Sequence, residues 1–193
     1  MNVQKMGALC RKNYRLKMAR GNGAEFLSDG ITLMELPMNF PSLPDERACA
    51  AVFGWKESTL EKIGTEIIQW QDGPEVFGID MRDAVPEEIA CVKAEVGILY
   101  GGMKLLVLFD DMGGIGFIDS DQLAPVADEL RDGEYMMWFK RRSHGRPYYV
   151  LKNGLLLRLA VMPVIIRQDV MTNALEEIID RMKQKAGNEN ATL

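Results

Sequence analysis

The sequence predicts an α+β fold, a single domain over residues 1–193 made of two related halves. Each half is predicted to be a helix followed by three mostly antiparallel strands, and a C-terminal helix completes the chain. Three observations predict this. Hydrophobic periodicity changes from helical to alternating in the same order in both halves. The turns that separate the alternating segments have similar sequences. The length of 193 residues suits one domain.

The first half covers residues 1–38. Its helix is predicted over residues 3–13, because Val3, Met6 and Leu9 recur at helical spacing. Alternating apolar and polar residues then predict three strands, which glycine-containing turns separate and a proline ends. The strands are predicted over residues 14–18, 25–27 and 31–36, with turns at 21–23 and 28–30.

The second half covers residues 117–166 and repeats this order. A helix is predicted over residues 122–130, with Asp119 and Ser120 before it and Pro125 in or near its first turn. Three strands follow, separated by a polar hairpin tip and a tight turn. They are predicted over residues 134–140, 147–151 and 155–166, with the tip at 141–146 and the turn at 152–154. The segments 26–33 and 150–157 align across their turns, which indicates a degenerate internal duplication.

An irregular acidic connecting region, residues 39–116, is expected between the halves. Within it the patterns predict a small helix over residues 45–53 and a second that starts at Ser58, where Ser58-Thr-Leu-Glu61 has the form of a capping box. Short strands are predicted over residues 65–70, 96–100, 103–109 and 116–118. The C-terminal amphipathic helix is predicted over residues 169–186.

The composition excludes several classes of protein. A hydrophobic fraction of 47% and a charged fraction of 26% are typical of globular proteins. The longest apolar runs are far shorter than the roughly 20 residues that cross a bilayer. No apolar segment follows the basic N-terminus, and the three cysteines are too widely spaced for a disulfide framework. We therefore expect a cytoplasmic protein with no membrane partner.

The net charge of −5 conceals an uneven distribution. Residues 1–24 carry 6 Lys or Arg and no acid, whereas residues 25–139 carry 7 basic and 23 acidic side chains. Residues 140–193 carry 10 basic and 5 acidic side chains. The molecule is bipolar if the two basic ends meet in space. The alternative is that the charges scatter over the folded surface, and the sequence leaves both open.

No catalytic or metal-binding motif is present. His144 is the only histidine, and its expected place on an exposed hairpin tip favours a solvated side chain. Asp110 and Asp111 follow an apolar strand, as Mg²⁺ ligands can. The next residues, Met112-Gly-Gly114, favour an ordinary hairpin turn instead. We expect no enzymatic activity, no cofactor and no metal.

The basic residues are the better candidates for function. The hairpin tip is rich in Lys and Arg, and Trp138, Tyr148 and Tyr149 lie beside it. Positive charge interleaved with aromatic rings suits phosphate contact and base stacking. The alternative is a solvated hairpin whose aromatic residues pack in the core. The duplication predicts equivalent basic positions in the first half. The candidate nucleic-acid-binding residues are Lys5, Arg11, Lys12, Arg20, Lys140, Arg141, Arg142 and Arg146.

Two segments of the second half carry a resemblance. Residues 117–130 have the sequence Phe-Ile-Asp-Ser-Asp-Gln-Leu-Ala-Pro-Val-Ala-Asp-Glu-Leu, and residues 161–164 are Val-Met-Pro-Val. Both resemble the last repeat of DNA sliding clamps, whose domains also consist of two helix-and-strands halves. The resemblance implies a sliding-clamp-like domain and a role on DNA. The whole chain is also similar to proteins of phages and mobile elements from gut Firmicutes, which share the patterns at residues 26–30 and 116–120.

Two features depart from the clamp pattern. A clamp ring closes with several domains, so one domain per chain would require a homo-oligomer. Asp121, Asp128 and Glu129 lie on the second-half helix, where a clamp helix that faces DNA carries positive charge. A likeness of fold does not by itself transfer the function.

Three functional hypotheses follow. The preferred one is a non-enzymatic DNA-associated accessory protein of a phage or mobile element. The second is a protein–protein adaptor or inhibitor that docks through its acidic middle region or its C-terminal helix. The third is a hydrolase or nuclease with Asp110 and Asp111 as metal ligands. The expected partners are DNA, a replication or host protein, or further copies of the chain.

Overall fold

The computed structural model describes residues 1–21, 23–70, 73–132 and 135–166. These residues form an α+β fold with a mixed, mostly antiparallel sheet and few helices, which confirms the predicted α+β class and its mostly antiparallel strands. The C-terminal helix predicted over residues 169–186 lies outside the described residues. Among the helices that are described, none combines the length and the apolar character needed to cross a lipid bilayer.

Each half has the predicted order of a helical segment followed by three strands. The helices are α1 (Val3–Lys12), α2 (Glu46–Phe53), α3 (Glu57–Leu60) and α4 (Ala127–Asp132), with a 3₁₀ helix over Ser120–Val126. The strands are β1 (Arg15–Gly21), β2 (Ala24–Ser28), β3 (Thr32–Glu35), β4 (Gly64–Gln69), β5 (Glu75–Val76), β6 (Ile79–Asp80), β7 (Ile89–Tyr100), β8 (Met103–Asp110), β9 (Ile115–Asp119), β10 (Met136–Ser143), β11 (Arg146–Asn153) and β12 (Leu156–Val161).

Ten strands form one sheet in the order β4-β1-β2-β3-β12-β11-β10-β7-β8-β9. Of the described pairs, β1 with β4 is parallel and the others are antiparallel. At the centre of the sheet β3 pairs with β12, with Leu33 opposite Ala160 and Thr32 opposite Val161. The two three-stranded units, β1-β2-β3 and β10-β11-β12, therefore meet at a shared seam.

The strand directions place the turns of these six strands at two ends of the sheet. The start of β1, the β2–β3 turn and the β10–β11 turn lie at one end, called here the near end. The β1–β2 turn and the β11–β12 turn lie at the other, called here the far end. The β7–β8 hairpin also extends towards the far end, because Ile89 pairs with Lys140 and β7 runs away from the near end.

The two faces of the sheet are covered differently. Leu27 of β2 and Leu151 of β11 belong to the main core, which lies under α1. Their neighbours Phe26 and Val150 point to the opposite face, because successive residues of a strand alternate between faces. There they pack with Val76 of the β5–β6 hairpin. The helices thus lie on one face and the small hairpin lies on the other.

The second-half helix differs from its prediction. In place of one α-helix over residues 122–130, the chain forms a 3₁₀ helix and then α4. Pro125 lies inside the 3₁₀ segment, where its missing N–H removes a hydrogen-bond donor that a continuous α-helix would need. The cap is placed correctly, since the Asp119 side chain accepts a hydrogen bond from the Asp121 N–H.

The connecting region, residues 39–116, is more regular than expected. It supplies β4, β7 and β8 to the large sheet, and β7 has 12 residues where the sequence predicted only its last five. The predicted capping box at Ser58 is wrong. Ser58 lies inside α3, which begins after Lys56 and has no side-chain cap. The predicted third strand of the second half is also shorter, because β12 ends at Val161.

Candidate nucleic-acid interface

The eight predicted basic residues lie in different parts of the fold. Arg20 is near the far end of β1, whereas the β10–β11 turn is at the near end. The duplication therefore does not bring Arg20 and the second-half hairpin together. The other residues lie on α1 (Lys5, Arg11, Lys12), on β10 (Lys140, Arg141, Arg142) and at the start of β11 (Arg146).

The basic residues of α1 face acids of the second-half helices. Lys5 Nζ lies 3.3 Å from an Asp128 oxygen, and Lys12 Nζ lies 2.7 Å from an Asp121 oxygen. The N-terminal amine contacts Glu129. The hydrogen bond to Asp121 raises the pKa of Lys12 above its usual value. The acids that depart from the clamp pattern thus compensate the charge of α1, and the helical face is not a uniformly positive surface.

Arg141 lies in the interior of the protein. Its side chain is 1% exposed, and its guanidinium donates to Glu88 at 2.6 Å and to three backbone carbonyls within residues 80–83. Lys152 lies 2.5 Å from the other Glu88 oxygen. Burial alone would raise the pKa of Glu88, but the hydrogen bonds from Lys152 and Arg141 hold it below its usual value. Arg141 therefore holds residues 80–88 onto the sheet and is not open to a nucleic acid.

Lys140 forms an ion pair with Asp110, since its Nζ lies 2.5 Å from an Asp110 oxygen. The Asp110 carboxylate also accepts hydrogen bonds from the N–H groups of Met112 and Gly114, which confirms the predicted hairpin turn. The hydrogen bond from Lys140 lowers the pKa of Asp110. Across the described part of the chain, no group of three or more His, Cys, Asp or Glu could hold a metal ion.

The thiols do not form a reactive centre either. Cys10 and Cys49 are buried, and burial raises the pKa of Cys49 to about 12. Cys91 is half-buried, and burial raises its pKa to about 11. Such thiols stay protonated at neutral pH, whereas nucleophilic cysteines need a lowered pKa.

Four candidates remain to be placed. Arg20 forms an ion pair with Glu25 at 3.0 Å and donates a hydrogen bond to the hydroxyl of Ser42. Three are exposed and form no ion pair with any residue that the structure describes. These are Arg11, Arg142 and Arg146.

A groove of about 380 Å³ lies at the near end, between the sheet and the β5–β6 hairpin. We call it the hairpin groove. Arg15 and Lys17 of β1 line one side, and His144 and Arg146 of the β10–β11 turn line the other. Phe77, at the tip of the β5–β6 hairpin, also lines it, with its ring centroid 4.8 Å from Lys17 Nζ. Among the described residues no carboxylate side chain lines this groove, although Lys17 Nζ lies 2.7 Å from a Glu66 oxygen.

A second cavity, of about 550 Å³, lies at the end of α1. We call it the tyrosine cavity, because Tyr14 lines it and is 64% exposed. Its cationic lining residues are Arg11, Lys12 and Lys62, and no carboxylate side chain in the described part of the chain lines it. Tyr14 and Arg15 are consecutive, so the two cavities flank the start of β1.

The backbone is strained at both cavities. Among the described residues other than glycine, those with positive φ are Tyr14 (52°), Phe77 (53°) and His144 (48°). The first lines the tyrosine cavity, and the other two line the hairpin groove. Tyr and Phe rarely adopt this conformation, whereas His does so more often, and strained residues cluster at binding sites.

The aromatic residues predicted beside the hairpin tip are in the core. Trp138, Tyr148 and Tyr149 are at most 5% exposed, so the alternative of a solvated hairpin with packed aromatic residues is confirmed for them. His144 is 82% exposed, with Nε2 3.8 Å from Glu75, as expected for a solvated tip.

Sequence reasoning missed several residues of these cavities, among them Arg15, Lys17, Lys62 and Phe77. Arg15 and Lys17 alternate with the buried Leu16 and Met18, which was a usable sign that both face the same side of β1. Lys62 and Phe77 gave no local sign, because only the tertiary fold brings them to their cavities. No protein-family model, curated protein or solved structure matches the chain.

Proposed function

We propose that the protein is a non-enzymatic DNA-associated accessory protein of a phage or mobile element, with a clamp-like fold, and that it contacts DNA at the near end of its sheet. One observation carries the proposal. Two cavities flank the start of β1, and no carboxylate side chain of a described residue lines either of them. Lys12 and Lys17 are paired with acids, but Arg11, Arg15 and Arg146 in these linings form no ion pair with a described residue. Such sites favour a polyanion, because phosphate contacts from Lys and Arg supply most of the affinity of proteins for DNA.

The strand order supports the clamp-like part of the proposal. Two units of three strands meet at the β3–β12 seam, each preceded by a helical segment on the same face of the sheet. This is the arrangement of two halves that the resemblance implies. The compensated charges of the helical face argue for a different DNA-contacting surface from that of a clamp.

Binding of a labelled oligonucleotide, single-stranded or annealed to its complement, tests the proposal. We expect affinity that falls as salt rises. Joint replacement Arg15→Ala and Arg146→Ala should weaken binding about tenfold or more, because two cations are lost. The slope of log K against log salt should flatten by about 1.4 on a single strand or about 1.8 on a duplex.

A matched variant removes the same charge elsewhere. Lys93→Ala with Lys104→Ala deletes two exposed cations from β7 and β8, towards the far end. This variant should bind DNA nearly as the parent does. If neither form of DNA binds at low salt, the proposal is rejected. Equal weakening by both double variants would show that only overall charge matters and that the near end is not the interface.

A further inference from the structure

We infer that the hairpin groove takes an unpaired nucleotide, so that the protein binds single-stranded DNA in preference to duplex. This inference rests on the proposed function and names the form of DNA that the site selects. The groove of about 380 Å³ lies within the size range of small-ligand sites, roughly 300–1,000 Å³. A nucleotide of a duplex must be unpaired and unstacked before it can enter the groove, whereas a nucleotide of a free strand has no partner to leave, so the groove favours a single strand.

The groove offers contacts to both parts of a nucleotide. Arg15 lies across from Arg146, so each wall offers a cation for a phosphate, whereas Lys17 beside Arg15 is paired with Glu66 at 2.7 Å. Phe77 adds an aromatic ring to the same lining. Stacking on an aromatic ring combined with a cationic groove is the usual basis of single-strand binding.

One polar atom in the groove has no partner. Ser143 lines the groove, and its Oγ is buried without a hydrogen bond to any described residue. Leaving a buried hydroxyl unpaired costs free energy, and such groups are uncommon. Rotation of the Ser143 side chain towards the groove would let a ligand phosphate or base edge satisfy this hydroxyl.

The walls are also held in place before any ligand binds. Phe77 has a positive φ, which a Phe holds only where the surrounding fold imposes it, and His144 has a positive φ as part of the two-residue β10–β11 turn. Gly30 allows Arg15 to approach closely, since a Cβ at this position would lie 2.6 Å from Arg15 Cδ. Binding therefore requires little ordering of the site, which favours affinity.

Fluorescence anisotropy with a labelled oligothymidylate and with a blunt-ended duplex of equal nucleotide number, which has no unpaired loop, tests the inference. We expect single-strand binding at least about tenfold tighter than duplex binding. Thymidine 5′-monophosphate should compete for the single strand and thymidine should compete much less, because the cations require the phosphate.

Two variants locate the effect in the groove. Phe77→Leu should weaken single-strand binding about tenfold through lost stacking, and Ser143→Ala should weaken it about threefold. Both should leave duplex binding nearly unchanged. Ser143→Ala removes one oxygen from a strand residue, so it keeps the test decisive if Phe77→Leu folds poorly. Lys93→Ala with Lys104→Ala again serves as the control.

The outcomes separate the two proposals. Equal binding of single strand and duplex, or no competition by the mononucleotide, overturns the inference and leaves the proposed function standing. Unchanged single-strand binding by folded Ser143→Ala and Phe77→Leu also overturns it. If no DNA binds in any form, the proposed function fails and the inference fails with it.

Discussion

At the scale of single residues, Glu88 is the centre of a buried charge cluster. Its two oxygens contact Arg141 and Lys152, whose side chains are 1% and 5% exposed. Buried cations need a counter-charge, because an unpaired charge in the interior is strongly destabilising. Glu88 therefore fastens the segment before β7 to β10 and β11.

Replacing Glu88 with Gln should lower the free energy of unfolding by about 3 kcal/mol, because two buried cations lose their counter-charge. Urea denaturation at neutral pH measures this. Glu87→Gln is the matched control, since Glu87 is exposed and has no ion pair with a described residue. A loss for Glu88→Gln no larger than that of the control would contradict the role of the cluster.

The effect of Glu88→Gln on stability should depend on pH. The pKa of Glu88 is lowered in the folded state, from an ordinary value of 4.5. The contribution of the ionised Glu88 side chain to the free energy of unfolding is therefore fully present above that value. It is lost as the pH falls through the lowered folded pKa. The difference in stability between the parent and Glu88→Gln should be constant near neutrality and shrink below about pH 4.5. A difference that stays constant down to pH 3 would count against this assignment.

At the scale of elements, the helix starts show where local rules apply. Asp45 accepts a hydrogen bond from the Ala48 N–H at 2.8 Å and so caps α2. Ser58 lies inside α3 and caps nothing, although its sequence context resembles a capping box. The box fails because α3 begins one residue after Lys56, so Ser58 is already within the first turn.

Asp45→Ala should therefore cost about 1 kcal/mol of stability, the usual loss for removing such a cap. Ser58→Ala should be nearly neutral, within about 0.5 kcal/mol, as for other surface changes. Thermal or urea unfolding of the two variants side by side measures the difference. A larger loss for Ser58→Ala than for Asp45→Ala would mean that the capping box forms in solution.

Most strands were predictable because their alternation and turns are local properties of the sequence. β7 was found only in its last part. Its register shifts between Lys93 and Gly97, and this irregularity interrupts the period of two. Pairing order could not be predicted, because it depends on contacts such as Leu33 with Ala160, far apart in sequence.

The candidate site was predictable in part for the same reason. The exposure of Arg142 and Arg146 follows from their place at a polar hairpin tip. The burial of Arg141 had a local sign that was missed, since it lies two residues after Phe139 and so on the same side of β10. Its partner Glu88 is distant in sequence, so no local sign in the sequence indicates this pairing.

At the scale of the whole molecule, the seam makes the two units depend on each other. Beyond the β3–β12 pairing, the Thr32 hydroxyl lies 2.7 Å from the Gln122 side-chain oxygen and both residues are buried. This bond links the first unit to the helical segment of the second. Separation of the two units would expose the edges of β3 and β12 and would break the hydrogen bond between Thr32 and Gln122.

We therefore expect Thr32→Val to destabilise both units equally, by about 1–3 kcal/mol, because it leaves the buried Gln122 amide unsatisfied. Native-state hydrogen exchange measures this at the amides of β2 and of β11. Exchange should speed up by the same factor in both strands, as in a shared global opening. Acceleration confined to one unit would show that the halves unfold independently.

The position of β12 in the sheet also has a consequence for synthesis on the ribosome. β12 is the last described strand along the chain, yet it lies between β3 and β11 near the middle of the sheet. As the nascent chain emerges, the edge of β3 that includes Leu33 stays unpaired until β12 is made. More than a hundred further residues are translated before that point. Late insertion of a central strand makes folding slow and exposes the growing chain to aggregation in the meantime.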